Sequence, residues 1–248
     1  MFGLQQMDFF TIVEEDHTFQ NPTSEAKLQQ LIEYCELADG TSVLDIGCGK
    51  GWLLRTMAAR YAIQGVGLEL RQASIDSGEQ MMPSQELVGS LEFLAGDAKA
   101  YQPQQQFDVI TCLGASFAIG TFEDLLARVK PWLKPGGRLA VGDIYARVLP
   151  VNEHSAVHFA GGAHRTLADT AAMLDGDGLT LIALLDSSLD EWDRYESLHW
   201  RAAERWLREH PDHIDHQQFA KVAQRFKWEH IAYDREALGW SLFVARAD

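Results

Sequence analysis

The sequence predicts an α/β fold: a doubly wound, mostly parallel, seven-stranded sheet with a helical insertion before the last strand. Short apolar runs alternate with amphipathic stretches over residues 43–143, an alternation typical of parallel sheets. Three alternating glycines follow the first apolar run, and later runs also end in small or acidic residues. With 248 residues the chain is long enough for one large domain, so we expect residues 1–248 to fold together.

The N-terminal part of the chain is predicted to be a helical lead-in over residues 1–40. Thr23 or Ser24 is a suitable N-cap, and apolar side chains follow at helical spacing at Leu28, Leu31, Ile32 and Cys35. The segment 17–22 precedes this helix, and we expect it to fold across the mouth of a ligand site.

The middle of the chain alternates between strands and helices. Strands are predicted at the apolar runs 43–46, 63–69, 91–95 and 107–113. Helices are predicted over 52–61, 71–80 and 122–132, the second ending near Pro83. Thr121 and Asp124 have the spacing of a capping box at the start of the third helix. A fifth strand is expected after the segment 133–139.

The pattern loosens after Asp143. Residues 145–165 have little period, and we interpret this segment as a lid. A helix over 166–174, a strand over 179–185 and a last strand over 240–245 are predicted around a helical insertion at residues 190–235. The insertion consists of two amphipathic segments, 192–208 and 215–233, and we expect it to cover the side of the sheet where a substrate would bind.

The segment Val43 to Gly51 carries the main functional signal. Glycine at alternate positions lets a strand turn sharply into a helix while its backbone lies against a ligand. Glu69 ends the second predicted strand, 18 positions after Gly51, close to where a dinucleotide-binding unit places its ribose-binding carboxylate. The carboxyl ends of parallel strands are where open sheets bind ligands, so the pattern predicts a nucleotide-type cofactor site.

These motifs together resemble the class I S-adenosylmethionine-dependent methyltransferases, which have a Rossmann-like fold. The resemblance covers residues 41–144 and the final strand, and rests on Asp45 with the three glycines, on Glu69, on Asp97 and on the segments 108–114 and 133–139. It implies that the glycine loop packs against the methionine part of S-adenosylmethionine, that Glu69 holds the ribose, and that Asp97 and Ala98 border the adenine. The implied cofactor-binding residues are Asp45, Gly47, Cys48, Gly49, Gly51, Glu69, Leu70, Gly96, Asp97, Ala98, Leu113 and Gly114.

Two other nucleotide sites fit the loop less well. The dinucleotide fingerprint has its third glycine one position later, where this chain has Trp52, so an NAD-dependent oxidoreductase is the weaker alternative. No Gly-Lys-Ser/Thr sequence of a P-loop is present, and Lys50 is interpreted as a flanking charge. A cofactor-binding regulatory or scaffold protein without transfer activity is a further alternative, in which the acceptor pocket would be filled.

Composition narrows the class of acceptor and the compartment. The net charge of −15, from 36 acidic and 21 basic residues, disfavours a nucleic-acid partner. An Asn-Pro-Pro-Tyr motif after the fourth strand, typical of similar enzymes that methylate nucleic-acid or protein amino groups, is missing, which favours a small-molecule acceptor. No apolar run is long enough to cross a bilayer, and the segment Met1 to Thr11 does not look like a secretory leader. Three cysteines without disulfide or metal spacing suit a reducing cytoplasm.

The acceptor site is predicted with less detail than the cofactor site. Candidate substrate-binding residues are His17, Ser116, Tyr145, Trp192 and Tyr195, each of which could instead be an ordinary packing residue. An oxygen acceptor would need a general base, and His17, His154, His158 or Tyr195 could serve, so no catalytic residue is assigned. The pair His154 and His158, and the set His210, His213 and His216, lack the arrangement of a metal site, and no metal is expected.

Overall fold

The computed structural model describes residues 6–248 and is built around a seven-stranded sheet. The strands are β1 (Ser42–Ile46), β2 (Gln64–Glu69), β3 (Ser90–Ala95), β4 (Phe107–Leu113), β5 (Leu133–Ala146), β6 (Leu179–Asp186) and β7 (Leu238–Ala247). Their order across the sheet is β3-β2-β1-β4-β5-β7-β6, and only β7 runs antiparallel to its neighbours. The predicted fold class is therefore confirmed.

The strand order reverses next to β1. This strand pairs in parallel with β2 on one side and with β4 on the other. The chain runs from β1 outward through β2 to β3 and then crosses to β4 on the other side of β1, and this reversal opens a crevice at the carboxyl ends of the central strands. The glycine-rich turn follows β1 and lies at this point.

Helices cover both faces of the sheet and its carboxyl edge. They are α1 (Gln6–Val13), α2 (Glu25–Tyr34), α3 (Trp52–Ala58), α4 (Gln72–Met81), α5 (Phe122–Val129), α6 (Glu153–Ala156), α7 (Leu167–Leu174), α8 (Leu189–Glu209) and α9 (His216–Glu229), with a π-helix at His230–Asp234. One face of the sheet packs against α2 and α3, where Leu31, Leu54 and Met57 are buried. The other packs against α5, where Phe122 and Leu125 are buried.

Two helix starts show how local chemistry determines the element bounds. The hydroxyl of Ser24 accepts the amide N–H of Lys27 and is the N-cap of α2, whereas Thr23 is fully buried. Thr121 and Asp124 form the predicted capping box of α5. This helix ends at Val129, three residues before the predicted end, because a 3₁₀ turn containing Pro131 takes over.

The fifth strand begins earlier than predicted. It includes the glycine-containing segment expected to precede it, and Leu133 pairs with Phe107 across a register shift before regular pairing begins at Arg138. Gly136 has a φ of +74°, which permits this irregularity without strain.

The predicted lead-in and insertion are both helical. The first five residues of the lead-in lie outside the described residues, and α1 and α2 occupy much of the remainder. The insertion consists of α8, α9 and the π-helix, and a small apolar cluster containing Phe9, Ala203 and Phe219 joins α1 to α8 and α9. None of the helices within residues 6–248 is both long and apolar enough to span a membrane.

Candidate active site

A large cavity of about 1410 Å³ lies over the carboxyl ends of the central strands. At one end it is lined by the glycine loop and by residues that follow β2, β3 and β4. At the other end it extends between α1, α8 and α9. Ligand pockets for drug-sized molecules usually measure about 300–1,000 Å³, so this cavity has room for two ligands side by side.

The glycine loop is fixed by its own backbone. The amide N–H groups of Gly47 and Cys48 both donate to the carbonyl of Leu68, at 2.8 and 2.9 Å, which ties the loop to β2. Gly47 has a φ of +70°, and a Cβ atom there would lie 2.3 Å from the Cβ of Ala115. Glycine is therefore required both for the conformation and for the close approach of the chain segment after β4.

Glu69 is buried at the end of β2 and lines the cavity. One carboxylate oxygen accepts the amide N–H of Gly49 at 2.9 Å, and the other accepts the amide N–H of Arg71 at 2.9 Å. These two bonds hold the carboxylate at the junction of the glycine loop and the start of α4. A carboxylate fixed in this way suits recognition of vicinal hydroxyl groups.

Two further carboxyl groups form the floor of the cavity. Asp45 accepts a hydrogen bond from the Thr111 hydroxyl at 2.6 Å, and its complete burial raises its pKa to about 7. Burial also raises the pKa of Asp143, although a hydrogen bond from Ser116 and the charge of Arg165 oppose the shift. Both acids line the cavity, so a cationic ligand would relieve the cost of ionising them.

The end of the cavity next to the glycine loop is bordered by the turns after β2, β3 and β4. Asp97 accepts the amide N–H of Lys99 at 2.8 Å and so caps a short 3₁₀ turn. Leu70 and Phe117 are 59% and 67% exposed although both are apolar and line the cavity. The sequence did not single out Phe117, because its only signal is an apolar residue just beyond a strand end.

Eleven of the twelve residues implied by the resemblance line this one cavity: Asp45, Gly47, Cys48, Gly49, Glu69, Leu70, Gly96, Asp97, Ala98, Leu113 and Gly114. Gly51 is the exception. It is the N-cap of α3 in a left-handed conformation, and a Cβ atom there would lie 2.6 Å from the ring of Phe93. Gly51 therefore lies beneath the loop, where the missing side chain lets the start of α3 pack against the ring of Phe93.

The other end of the cavity is mainly apolar, although Glu204, Arg208, Gln224 and Lys227 of α8 and α9 also line it. We call it the helical lobe, and it is lined by Phe9, Phe10, Val13, Ala203, Leu207, Ala220, Ala223 and Phe226. Trp192, Tyr195, His199 and Trp200 on α8 line the space between this lobe and the glycine loop. Of the predicted substrate-binding residues, the structure brings Ser116, Trp192 and Tyr195 into the lining.

Two predicted substrate-binding residues do not line the cavity. Tyr145 is buried between strands: it pairs with Gly239 of β7, whose missing side chain leaves space for the ring, and its hydroxyl donates to Asp186 at 3.0 Å. His17 is 1% exposed and bonds to the backbone carbonyl of Tyr195 through Nε2 at 3.0 Å. Burial and the neighbouring His199 lower the pKa of His17 to about 4, so its ring is neutral. Tyr145 therefore connects β5 to β6, and His17 connects the N-terminal segment to α8.

His158 lies on the cavity wall and is paired with an acid. Its Nε2 atom is 3.1 Å from a carboxylate oxygen of Asp234, and the other oxygen accepts the Ser155 hydroxyl at 2.7 Å. Asp234 belongs to the π-helix, a rare element often found at functional sites. The pair links the segment 145–165 to the helical insertion.

The other histidines that are closely spaced in the sequence, His154, His210, His213 and His216, bond to or stack on neighbouring groups. His154 stacks on Tyr233, with ring centroids 4.1 Å apart. His210 and His216 bond to backbone carbonyls of α8, and Nδ1 of His213 accepts an amide N–H.

The segment 14–21, which we call the N-terminal strap, crosses the glycine loop. Gln20 and Asn21 line the cavity, in agreement with the expectation that this segment folds across a ligand site. The interpretation of Lys50 as a flanking charge was wrong. Its side chain is buried and its ammonium group donates to three backbone carbonyls of the strap.

Comparisons with known proteins bear on the class of this protein. The model of the methyltransferase domain family matches residues 43–137. The uncharacterized protein YjhP of Escherichia coli (strain K12) is 31% identical over 243 residues, which cover 95% of this chain and 96% of YjhP. The 27-O-demethylrifamycin SV methyltransferase of Amycolatopsis mediterranei (strain S699) is 25% identical over 240 residues, covering 94% of this chain and 86% of that enzyme.

A solved structure extends the similarity to the whole fold. The crystal structure of a SAM-dependent methyltransferase from Geobacter sulfurreducens in complex with S-adenosyl-L-homocysteine has a TM-score of 0.88 and 27% identity, with 100% of both chains covered. The chain therefore belongs to the class I S-adenosylmethionine-dependent methyltransferase family. It is an enzyme whose cofactor is S-adenosylmethionine, which sets aside the oxidoreductase and the scaffold alternatives.

Proposed function

We propose that the enzyme transfers a methyl group to a small molecule with a largely apolar body, which binds in the helical lobe. The observation that supports this is the continuity of the cavity from Glu69 and the glycine loop to the apolar side chains of α1, α8 and α9. A pocket filled by side chains would have favoured a protein that only binds the cofactor. Here the lobe is open and mainly apolar with a few polar side chains, as small-molecule sites generally are.

The cofactor end has side chains that fit S-adenosylmethionine. Glu69 would accept hydrogen bonds from the ribose, and Asp97 with Ala98 would border the adenine between Leu70 and Phe117. Asp45 and the glycine loop would receive the methionine part, whose ammonium group complements a buried carboxyl. These assignments are the ones that the family resemblance implies, and the position of each residue in the lining of one cavity supports them.

The chemistry needs little from the protein beyond positioning. S-adenosylmethionine supplies a methyl group activated by a positively charged sulfur. Trp192, Tyr195 and Trp200 would orient the acceptor above the strand ends and exclude water. We propose that α8 and α9 together cover the acceptor, and that residues 145–165 form the adjoining wall as a lid.

An acceptor hydroxyl would require a base, and His158 is the candidate that the geometry supports. It is half-exposed on the cavity wall, and Asp234 holds its Nε2 atom. Burial raises the pKa of Tyr195 far above its usual value, so this phenol stays protonated. His17 is buried away from the cavity, and the ring of His154 is stacked on Tyr233.

The surroundings favour a small diffusible acceptor over a polymer. The net charge of −15 opposes the approach of a nucleic-acid backbone. We therefore propose that nucleic acids are not substrates. The free thiols of Cys35, Cys48 and Cys112 suit a reducing compartment, and we propose that the enzyme works in the cytoplasm.

The test is a transfer assay with S-adenosylmethionine labelled in its methyl group. A cell extract is split into small-molecule, protein and nucleic-acid fractions, and each is offered to the enzyme. We expect label in the small-molecule fraction, in products that partition into an organic solvent. Label confined to protein or nucleic acid would contradict the proposal.

A cavity-filling variant shows whether the helical lobe holds the acceptor. Ala223→Phe on α9 should abolish transfer while leaving the affinity for S-adenosylhomocysteine unchanged, because Ala223 lines only the helical end. Ala168→Phe adds the same ring on the exposed surface of α7 and is the matched control. Full activity of a folded Ala223→Phe variant would place the acceptor elsewhere.

A further inference from the structure

Lys50 is a charged residue buried within the glycine loop. Lys50 is only 6% exposed. Its Nζ atom lies 3.1, 3.0 and 2.6 Å from the carbonyl oxygens of Glu14, Glu15 and His17. An ammonium group has three N–H donors, so the three carbonyls use its full capacity. Burial lowers the pKa of Lys50, but the acids of the strap, Glu14, Glu15 and Asp16, oppose the shift.

The three carbonyls belong to the turn that follows α1. These carbonyls lie just beyond the last turn of α1, where the negative end of the helix dipole favours a positive charge. Lys50 therefore places an ammonium group from the glycine loop at the end of α1. The contact joins two segments that are far apart in sequence but adjacent in space.

Other bonds fasten the same strap to the strand ends. The backbone N–H of Lys50 donates to the side-chain oxygen of Gln20 at 3.0 Å, and the side-chain amide of Asn21 donates to the carbonyl of Leu113 at 2.9 Å. Glu14 forms an ion pair with Arg71 at 2.7 Å. The strap thus reaches the turns after β1, β2 and β4, which together border the cofactor end of the cavity.

The strap and α1 contribute to both ends of the cavity. Thr18, Phe19 and Gln20 line the cofactor end, and Phe9 and Val13 line the helical lobe. Movement of this one segment would therefore open the two ends together. The bonds from the Lys50 ammonium group are the charged contacts between the strap and the glycine loop. Ion pairs of Glu14 with Arg71, and of Glu15 and Asp16 with Arg201 and Arg205, hold the strap to the turn after β2 and to α8.

We propose that Lys50 is a positioning residue that holds the N-terminal strap closed over the cofactor, and that release of this clamp limits how fast the cofactor product leaves. The inference concerns exchange at the cofactor end and is independent of the identity of the acceptor. It gives the residue a kinetic role in addition to its contribution to folding.

The test measures binding of S-adenosylhomocysteine by stopped-flow tryptophan fluorescence, since Trp52 and Trp192 both line the cavity. Lys50→Met keeps the length of the side chain and removes the charge. We expect it to raise the dissociation rate constant about tenfold or more, because charge-assisted hydrogen bonds are lost. Lys130→Met, which removes a lysine paired with exposed Asp177 at the opposite ends of the strands, is the matched control.

A second variant and a second readout separate gating from folding. Asn21→Ala loosens the strap at β4 without touching Lys50, and it should also speed dissociation. S-adenosylhomocysteine should slow hydrogen exchange of the amides of residues 14–21 in the wild-type protein. With S-adenosylhomocysteine bound, these amides should exchange faster in both variants than in wild type. A folded Lys50→Met protein with a wild-type dissociation rate would overturn the proposal. The same holds if S-adenosylhomocysteine leaves the exchange rate of the strap amides unchanged. If Lys50→Met fails to fold, an unchanged rate in Asn21→Ala is equally decisive against it.

Discussion

The carboxyl group of Asp45 and the hydroxyl of Thr111 are joined by a 2.6 Å hydrogen bond between the two strands at which the sheet order reverses. Both residues are buried, and Asp45 stands directly below the glycine loop. The bond therefore connects the floor of the cavity to the centre of the sheet. A carboxyl group in this place titrates near neutral pH, since burial raises its pKa to about 7.

Stability should depend on pH through Asp45. In the unfolded chain its pKa is the ordinary 3.8, so between about pH 4 and pH 7 the folded state binds the extra proton. The free energy of unfolding should therefore fall as pH rises through this window, by up to about 4 kcal/mol from this group. Asp45→Asn should remove that part of the slope, measured by urea unfolding at a series of pH values.

The control for this experiment is Asp212→Asn, which removes an exposed carboxyl group in the connection between α8 and α9. It should leave the wild-type slope intact. If Asp45→Asn has the same pH dependence as wild type, the group does not carry a proton in the folded state at neutral pH.

Cofactor affinity should depend on the charge of Glu69. Both carboxylate oxygens accept backbone N–H groups, so Glu69→Gln turns its NH₂ group toward one of these donors and removes the negative charge. We expect S-adenosylhomocysteine to bind about tenfold to hundredfold more weakly. Isothermal titration calorimetry of this variant and of Glu92→Gln, an exposed change on the neighbouring strand, makes the comparison. Equal affinity in the two variants would remove Glu69 from the site.

The local sequence pattern was sufficient to predict the strands, the helices and the glycine loop, because neighbouring residues determine these elements. The alternation of strands and helices predicted the parallel sheet, and the motif of the glycine loop with Glu69 and Asp97 predicted residues that the structure brings together in one cavity. Each of these features depends on residues close together in sequence, or on the rule that the carboxyl ends of parallel strands meet.

The parts that the sequence missed depend on distant partners. Tyr145 is withdrawn from the cavity because Gly239 stands opposite it in β7, and that register is a property of the folded sheet. Lys50 is buried because the segment after α1 packs against it and its backbone carbonyls accept hydrogen bonds from the ammonium group. Its role has no local signature, since a lysine beside a glycine is usually exposed.

Gly78 should be intolerant of any side chain. A Cβ atom added at this position of α4 would lie 1.8 Å from the carbonyl oxygen of Lys50, so the helix would be pushed off the glycine loop. Alanine normally stabilises a helix relative to glycine, by about 1 kcal/mol. We expect the opposite here: Gly78→Ala should destabilise the protein by about 1–3 kcal/mol and weaken S-adenosylhomocysteine binding.

The matched change is Gly176→Ala, where the added atom would lie 3.6 Å from its nearest neighbour, an ordinary contact. Thermal unfolding and calorimetry on both variants separate the two cases. A Gly78→Ala protein as stable as Gly176→Ala would show that α4 can move away without disturbing the loop.

The ionisation of His158 should depend on Asp234. Burial lowers the pKa of His158, but the hydrogen bond and the charge of Asp234, with Glu196 and Glu229, outweigh it and raise the pKa above 6.5. The resulting stabilisation is fully present below pH 6.5 and is lost as pH rises through the folded-state pKa. Asp234→Asn should lower the pKa of His158, measured by NMR titration of the imidazole signals, and should reduce this acid-side stabilisation. Ser155→Ala removes the other partner of Asp234 while keeping the charge, so it should leave the pKa of His158 raised. A pKa that stays raised in Asp234→Asn would mean that the other acids, and not this pair, hold the proton on His158.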